Sequence, residues 1–540
     1  MSSMLGSDLS RAPKAGCSLS WPGIGFFSYE TTARRIVILA IVLLMPAYWR
    51  LHPMIFDPDI WWHLRTGQWI VEHGAIPSTD PFSSYGMGKP WVPYSWLFEV
   101  FMSWLYDVWG LVGLVFYPAV MGAAVLGMTY HLVARRQPNP VLAAGLTALA
   151  GMAMAKVMTP RPWLFTILFF AITLDLVLAV REGRRTRGVW CLPMLFALWA
   201  NIHIQFVYGL LLLGLACTAA ILDPLLTRTR LRAYIQPANP SATGTWLALT
   251  VACVVATLLN PAHVKLYAVI ADLGAQTGMY EYTQELVAPG FRIPGDWVML
   301  GLGTAAVFAL GARRTWSSFD LLLCAAAAYF SFRSSRDVWF LVLTALAILA
   351  TREERGRGRA EFAWTRPRLL ALGILLASGL VVLTQLRAIS EDRVREGTAK
   401  LYPVQAAAVI EQQGLRGPLY NHFDWGGYLL WRLPWLPVSM DGRANVHGDA
   451  RIIRSLETWS GKRAWERDPE LEQARLVVAH RESALASLLR LDGRTTLVHE
   501  DDTAALFVRR RDPETGQAQD NRNSHHPPSV PAIAAAGPRF

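Results

Sequence analysis

The sequence predicts a polytopic α-helical membrane protein with a small α/β domain at its carboxyl end. Only 17% of the 540 residues are charged, whereas soluble domains average about 25%. Apolar segments alternate with arginine clusters as far as residue 386, after which the pattern becomes that of a soluble domain. Because the formal charge of +11 lies largely in those clusters, it does not indicate a nucleic-acid surface. The five cysteines have neither disulfide nor zinc spacing.

About eleven apolar segments are predicted to cross the membrane. Several are shorter than the ~20 residues of a full span, so their limits are approximate. The segments lie near residues 36–48, 112–133, 139–156, 163–180, 189–201, 205–222, 245–259, 297–312, 317–331, 338–350 and 368–386.

The arginine clusters predict the orientation of these segments. If the amino terminus is cytoplasmic, the clusters near residues 135, 184, 230, 313 and 355 all fall inside, as the positive-inside rule requires. The predicted parts are a cytoplasmic tail (1–35), a membrane domain (36–386) with a first outer loop (51–110), an extracytoplasmic α/β domain (387–510) and a disordered tail (511–540). An integral protein of the inner (plasma) membrane, in contact with its lipids, is expected.

The most distinctive stretch is Asp57-Pro58-Asp59-Ile60-Trp61-Trp62-His63-Leu64-Arg65-Thr66-Gly67 in the first outer loop. A helix from Asp59 would show Asp59, His63 and Thr66 on one side. Its tryptophans, including Trp61 and Trp62, are predicted at headgroup level. The two carboxylates would serve an enzyme acting on a lipid-linked substrate. Alternatively, an Asp-Pro turn leads into an interfacial anchor.

Arginines in the predicted outer loops are unexpected under the positive-inside rule, so they predict an anionic partner. Arg161, Arg333 and Arg336 match the geometry of a phosphate or pyrophosphate, although each alone could pair with a lipid phosphate or a nearby acid. Asn201 and His203 lie at the outer end of a predicted span, where they form either a sugar-binding cluster or a tight turn.

The carboxyl-terminal segment alternates helix-like and strand-like stretches. Helices are predicted over 403–413 and 426–433, and strands over 418–421, 437–440, 475–478 and 495–498. The polar motifs Asn421–Tyr428 and Asp441–Asn445 read best as turns, although Asp and Gly at strand ends also shape ligand sites.

The outer-loop motif, Ile76-Pro77-Ser78-Thr79-Asp80-Pro81-Phe82-Ser83, Trp425-Gly426-Gly427-Tyr428 and Asp441-Gly442-Arg443 resemble a group of bacterial polytopic proteins within the GT-C superfamily of membrane glycosyltransferases. The resemblance implies sugar transfer from a polyprenyl-phosphate-linked donor to an extracytoplasmic glycan, lipid or protein. It gives Asp57 and Asp59 the role of general base or metal ligand. Asp59 with His63 would then hold a divalent cation, Mg or Mn. The residues expected to bind substrate are His63, Arg161, Asn201, His203, Arg333 and Arg336.

Two other function classes fit the same pattern. A lipid or glycan transporter or flippase would carry ionisable residues or broken helices near the middle of the membrane, and inverted repeats. A non-catalytic envelope assembly protein could use the same membrane domain with an outer binding module.

The orientation can be tested by thiol labelling. Because five arginine clusters fall inside, cysteines introduced at Ser78 and Asn445 should react with a membrane-impermeant maleimide in intact cells, whereas native Cys17 should not. Labelling of Cys17 alone would reverse the predicted topology.

Overall fold

The computed structural model describes residues 52–184, 187–235, 242–275, 285–351, 380–462 and 464–510. The predicted amino-terminal tail, the first span at 36–48 and the tail 511–540 lie outside these residues, as does most of the last predicted span at 368–386.

Nine predicted spans fall on the described residues, and each contains a helix. Within that part of the chain, five helical segments are long and apolar enough to cross a membrane: Trp96–Ala134, Pro140–Val157, Trp163–Arg181, Phe206–Leu226 and Pro294–Gly311. The helices are α1 Asp59–His73, α2 Trp96–Ala134, α3 Pro140–Met154, α4 Trp163–Arg181, α5 Leu192–Ile202, α6 Phe206–Leu226, α7 Ala242–Thr257, α8 Lys265–Ala275, α9 Pro294–Gly311, α10 Ser318–Arg333 and α11 Val338–Ala350.

Helix α2 is broken at Gly110, which has φ 60° and ψ −150°. The break leaves backbone N–H groups at the start of the second half without helical partners. Glu391 supplies an acceptor, since its Oε2 accepts a hydrogen bond from the N–H of Leu111 at 2.9 Å. A carboxylate at a helix amino end also interacts favourably with the helix dipole. The carboxyl-terminal segment therefore stabilises the entry of α2 into the bundle.

Ion pairs close one end of the helix bundle. Arg136 lies 2.8 Å from Asp175, and Arg313 lies 2.9 Å from Asp320. These residues belong to the ends of α2, α4, α9 and α10 that carry the arginine clusters. The loops at the opposite end, called the cavity end below, carry the residues of the candidate site.

The carboxyl-terminal segment contains a four-stranded sheet in the order β1-β2-β4-β3. Its strands are β1 Leu419–Asn421, β2 Leu476–His480, β3 Thr495–Glu500 and β4 Ala504–Arg509. Strands β1 and β2 are parallel, and the other neighbours are antiparallel. The accompanying helices are α12 Glu391–Ala399, α13 Val404–Gln412, α14 Phe423–Arg432, α15 Ala444–His447, α16 Asp449–Trp459, α17 Pro469–Gln473 and α18 Ala484–Leu491.

Most local predictions for this segment are confirmed, but the strand predicted over 437–440 is wrong. Pro437 has no N–H to donate to a sheet ladder. Val438 instead pairs with Ser83 of the first outer loop, and its carbonyl accepts from the N–H of Ser84 at 2.9 Å. This stretch therefore joins the first outer loop to the carboxyl-terminal segment and does not extend the sheet.

Helix α1 begins at Asp59, as predicted, and ends at His73, followed by the capping residue Gly74 with φ 60°. The prediction that Trp61 and Trp62 lie at headgroup level is wrong, because both side chains are buried. The Trp61 ring contacts Tyr402, Tyr428 and Trp431 at centroid distances of 5.5, 5.2 and 4.7 Å. Aromatic packing against the carboxyl-terminal segment has replaced the expected contact with lipid.

A buried ion network joins the first outer loop to the carboxyl-terminal segment. The fully buried Arg443 lies 2.6 Å from both Asp80 and Asp441. Its guanidinium also lies over the rings of Phe82 and Trp91. The predicted turn at Asp441-Gly442-Arg443 is thus also a structural anchor between segments far apart in sequence.

Removing Arg443 should destabilise the protein strongly. Arg443→Ala leaves two buried carboxylates without their partner, which typically costs about 3–5 kcal/mol. Arg494→Ala is a matched control, because Arg494 pairs with Asp492 on the surface and should contribute under about 1 kcal/mol. Thermal unfolding in lipid nanodiscs measures both variants. Equal melting temperatures would contradict the assigned role of Arg443.

Candidate functional site

A cavity of about 690 Å³ lies at the cavity end, between the helix bundle and the carboxyl-terminal segment. Its polar lining comes from the start of α1, the α3–α4, α5–α6 and α10–α11 connections, and the segment before α9. Leu114, Val115 and Pro118 of α2 form an apolar wall. A mixed cavity of this size, with a few convergent charged groups, is typical of a ligand site.

Arg161 holds the two carboxylates of the outer-loop motif together. Its Nε donates to Asp57 Oδ2 at 2.7 Å, and its Nη1 donates to Asp59 Oδ2. Asp57 Oδ1 accepts from the backbone N–H of Asp59 at 3.0 Å, so both Asp57 oxygens have protein donors. Burial raises the pKa of Asp57, although the Arg161 charge acts in the opposite direction.

A second guanidinium, Arg336, lies in the same cavity and binds Glu285. Burial opposes ionisation of Glu285, but the positive charges of Arg336 and Arg161 outweigh the effect of burial. The pKa of Glu285 is therefore lowered. Within the described residues, Arg336 Nε has no hydrogen-bond partner. Arg161 Nη2 lies 3.9 Å from Glu285 Oε2. Both arginines therefore line the cavity and are held there by carboxylates.

Two histidines reach the cavity in the neutral form. Burial, together with Arg336 and Arg161, lowers the pKa of His203 to about 3. Its Nδ1 lies 2.9 Å from the hydroxyl of Thr166. Burial also lowers the pKa of His63 well below its usual value, and His203 adds to this effect. Neither imidazole therefore supplies positive charge near neutral pH.

The carboxyl-terminal segment closes the cavity opposite the membrane helices. Gly442 lies so close to the start of α1 that an added Cβ would overlap Asp59 and lie 3.1 Å from Trp62 Nε1. Gly427 packs in the same way, where an added Cβ would lie 2.9 Å from the Pro58 carbonyl oxygen. The glycines of two sequence motifs thus permit close contact with the outer-loop motif.

The structure brings most of the predicted site residues together. Asp57, Asp59, His63, Arg161, His203 and Arg336 all line the cavity. Asn201 does not, because its side chain accepts from Trp96 Nε1 and donates to the Leu259 carbonyl. Arg333 is exposed and also lies outside the lining. Sequence reasoning gave no role to Glu285, whose only signal was its place in a long outer loop.

The residues do not fit the divalent cation expected between Asp59 and His63. His63 Nδ1 faces Glu99 Oε1 at 3.4 Å, while Asp59 binds Arg161. In the described part of the chain, no three His, Cys, Asp or Glu side chains form a group suited to a metal. The Arg161 guanidinium takes the position beside both aspartates that a cation would need.

Comparisons with known proteins identify the fold. No family model and no curated protein matches the chain significantly. The apo oligosaccharyltransferase of Archaeoglobus fulgidus matches with TM-score 0.50 and 11% identity, over 84% of this chain and 70% of that one. That protein is a GT-C glycosyltransferase. The chain has the GT-C fold.

Two structures of ArnT from Cupriavidus metallidurans are also similar. The complex with undecaprenyl phosphate gives TM-score 0.45 at 16% identity, covering 89% of this chain and 98% of that chain. The apo form gives TM-score 0.46 at 15% identity, covering 88% and 98%. Since five of the described helical segments are long and apolar enough to cross a membrane, the chain is an integral membrane protein.

Proposed function

We propose that this GT-C protein transfers a sugar from a polyprenyl-phosphate-linked donor to an extracytoplasmic acceptor. The observation that carries the proposal is the meeting of Asp57, Asp59 and Glu285 with Arg161 and Arg336 in one cavity. Glycosyl transfer needs a base for the acceptor and positive charge for the departing phosphate. The cavity contains both kinds of group.

The donor phosphate is assigned to the arginines. A phosphodiester carries negative charge, which increases on the phosphate as the bond to the sugar breaks. Arg336 and Arg161 both line the cavity, and a planar, charged guanidinium suits phosphate oxygens. The apolar wall of Leu114, Val115 and Pro118 suits the first isoprenoid units of the lipid.

Asp59 is the better candidate for the base. Both oxygens of Asp57 accept hydrogen bonds from protein groups, so this residue is suited to hold Arg161 and the start of α1. Asp59 uses Oδ2 for Arg161, and its side chain is 14% exposed, compared with 6% for Asp57. A carboxylate that removes a proton must contact the nucleophile, and the more exposed side chain of Asp59 meets this requirement better.

The proposal includes the sidedness of the membrane. The arginine-rich bundle end is assigned to the cytoplasm, which puts the cavity and the carboxyl-terminal segment outside, where polyprenyl-linked donors would meet an envelope acceptor. Arg136, Arg181 and Arg313 belong to that end, and the positive-inside rule counts basic residues even when they are paired.

Replacing the carboxylates should distinguish a glycosyltransferase from a transporter or a non-catalytic assembly protein. Asp59→Asn keeps the size of the side chain but removes most of its basicity, so transfer should fall about 10²- to 10⁴-fold. Asp57→Asn should act through the position of Arg161 and cause a smaller loss. The assay follows release of labelled sugar from decaprenyl-phosphate hexoses and pentoses by purified protein in nanodiscs, with membrane glycans added.

The control is Asp502→Asn, because Asp502 is fully exposed and pairs only with Arg481 among the described residues. It should retain wild-type activity. EDTA should leave transfer unchanged if the arginines alone support the phosphate. Wild-type rates in the Asp57→Asn/Asp59→Asn double variant would remove the catalytic assignment.

A further inference from the structure

An exposed aromatic and basic surface lies outside the cavity, where α9 begins and α10 ends. It consists of Arg292, Trp297, Phe332 and Arg333, and is called the α9–α10 surface below. The side chain of Trp297 is 59% exposed and that of Phe332 is 38% exposed, and both arginines are exposed beside them. None of the four residues lines the cavity. An anionic partner of Arg333, which the sequence predicts, would therefore bind elsewhere than in the candidate site.

The α9–α10 surface continues the sides of two helices that face lipid. Trp297 and Phe308 are about three turns apart and so share one side of α9, where both are exposed. Leu321 and Phe332 are related in the same way on α10, and both are exposed. Large apolar side chains exposed along a membrane helix mark its lipid-facing side. Trp297 and Phe332 lie where these sides reach the cavity end, the depth that interfacial aromatic residues occupy.

The loop before α9 is held in one conformation by contacts around Phe291. This residue has φ 54°, which is unusual for a bulky side chain. Its N–H donates to Asp296 Oδ2 at 3.2 Å, and its carbonyl accepts from Trp297 Nε1 at 2.8 Å. Its ring contacts those of Trp297 and Phe332 at centroid distances of 5.3 and 6.5 Å. Strained residues that the surrounding contacts enforce in this way are typical of functional surfaces.

The fixed loop places two guanidiniums on neighbouring parts of the surface. Arg292 directly follows Phe291, Arg333 directly follows Phe332, and the two phenyl rings are in contact. Within the described residues, the side chain of Arg292 has neither a hydrogen bond nor an ion pair. Basic residues at the membrane surface attract anionic headgroups, and a guanidinium can offer two parallel N–H groups to one phosphate.

We propose that the α9–α10 surface binds the headgroup of an anionic phospholipid in the leaflet at the cavity end. Arg292 and Arg333 pair with the phosphate, while the rings of Trp297 and Phe332 lie at the boundary between headgroups and acyl chains. The acyl chains follow the exposed sides of α9 and α10. A zwitterionic lipid has the same phosphate, but its ammonium group cancels the net charge that two arginines favour. The inference does not require sugar transfer.

A phospholipid fits this surface better than a soluble anion or a polyprenyl phosphate. The exposed rings beside the arginines favour a ligand that has a hydrocarbon part. A polyprenyl phosphate that reacts must enter the cavity, but no residue of the α9–α10 surface lines it. The surface therefore suits a lipid that remains at the membrane interface.

Backbone hydrogen bonding connects the α9–α10 surface to the candidate site. The N–H of Arg336 donates to the carbonyl of Glu285 at 2.8 Å. Glu285 begins the segment that leads to Arg292, and Arg336 lies in the connection that follows Arg333. A headgroup bound to both surface arginines would therefore also support the backbone that positions Arg336.

Lipid titration tests the headgroup site without an activity assay. Native mass spectrometry measures binding of phosphatidylglycerol and phosphatidylcholine to the full-length protein in detergent micelles. The wild type should bind its first phosphatidylglycerol at least about fivefold more tightly than its first phosphatidylcholine. Arg292→Gln and Arg333→Gln should each weaken phosphatidylglycerol binding about fivefold, as expected for one basic residue at an anionic lipid surface, and the double variant about twentyfold.

Arg494→Gln is the matched control, because it removes the same charge from an exposed residue of the carboxyl-terminal segment that pairs with Asp492. It should bind phosphatidylglycerol as the wild type does. Substitution of exposed arginines should leave the melting temperature nearly unchanged. If Arg333→Gln lowers the melting temperature, Arg292→Gln decides the question.

The inference is overturned if the wild type binds both lipids equally, or if the double variant keeps wild-type affinity for phosphatidylglycerol. It is also overturned if the double variant loses decaprenyl phosphate but keeps phosphatidylglycerol, because the surface would then serve the proposed sugar donor. Lost phosphatidylglycerol binding with unchanged decaprenyl phosphate binding would support the headgroup site and would leave the proposed transferase centre unaffected.

Discussion

The candidate site depends on the buried ion network of Asp80, Arg443 and Asp441. Arg443 reaches across 363 positions of sequence to Asp80, and all three side chains are essentially excluded from solvent. Charges so deeply buried are tolerated only when each is paired and hydrogen-bonded. The network therefore fixes one arrangement of the outer loop and the carboxyl-terminal segment. It also fixes Gly442 against Asp59, so both ends of the described chain contribute to one cavity wall.

The charges inside the cavity form a second, more open network. Arg161 is shared by Asp57 and Asp59, and Arg336 is bound to Glu285. These carboxylates hold the guanidiniums in place without using all of their N–H groups. Because His203 is held neutral, the positive charge is confined to the two arginines. An anionic ligand would meet oriented donors that need little rearrangement, which is how preorganised sites stabilise developing charge.

Much of this arrangement follows from the sequence by simple topology. Loops on the same side of the membrane lie at the same end of the helix bundle. For this reason Asp57, Arg161 and Arg336 all lie at the cavity end. The start of α1 was predictable from Asp-Pro followed by an apolar periodicity. Glu285 was not predictable as a partner, because nothing in the sequence of that long loop distinguishes it from neighbouring acids such as Glu281.

Other features depend on long-range contacts that a local pattern does not contain. The aromatic run at Trp61 and Trp62 has the composition of a membrane-interface anchor, but the carboxyl-terminal segment covers it. Asp441-Gly442-Arg443 has the composition of an exposed turn, and only its partner Asp80 makes it a buried anchor. The unpaired N–H of Trp62 is likewise visible only once the packing is known.

The most direct test of the account is the position of a donor phosphate in the cavity. A cryo-electron microscopy map of the protein in nanodiscs with decaprenyl phosphate should show phosphate density within hydrogen-bond distance of Arg336 and Arg161. The lipid chain should leave past Leu114 and Pro118. Phosphate density at any other surface, with the cavity arginines still bound only to their carboxylates, would contradict the assignment of this cavity as the transferase centre.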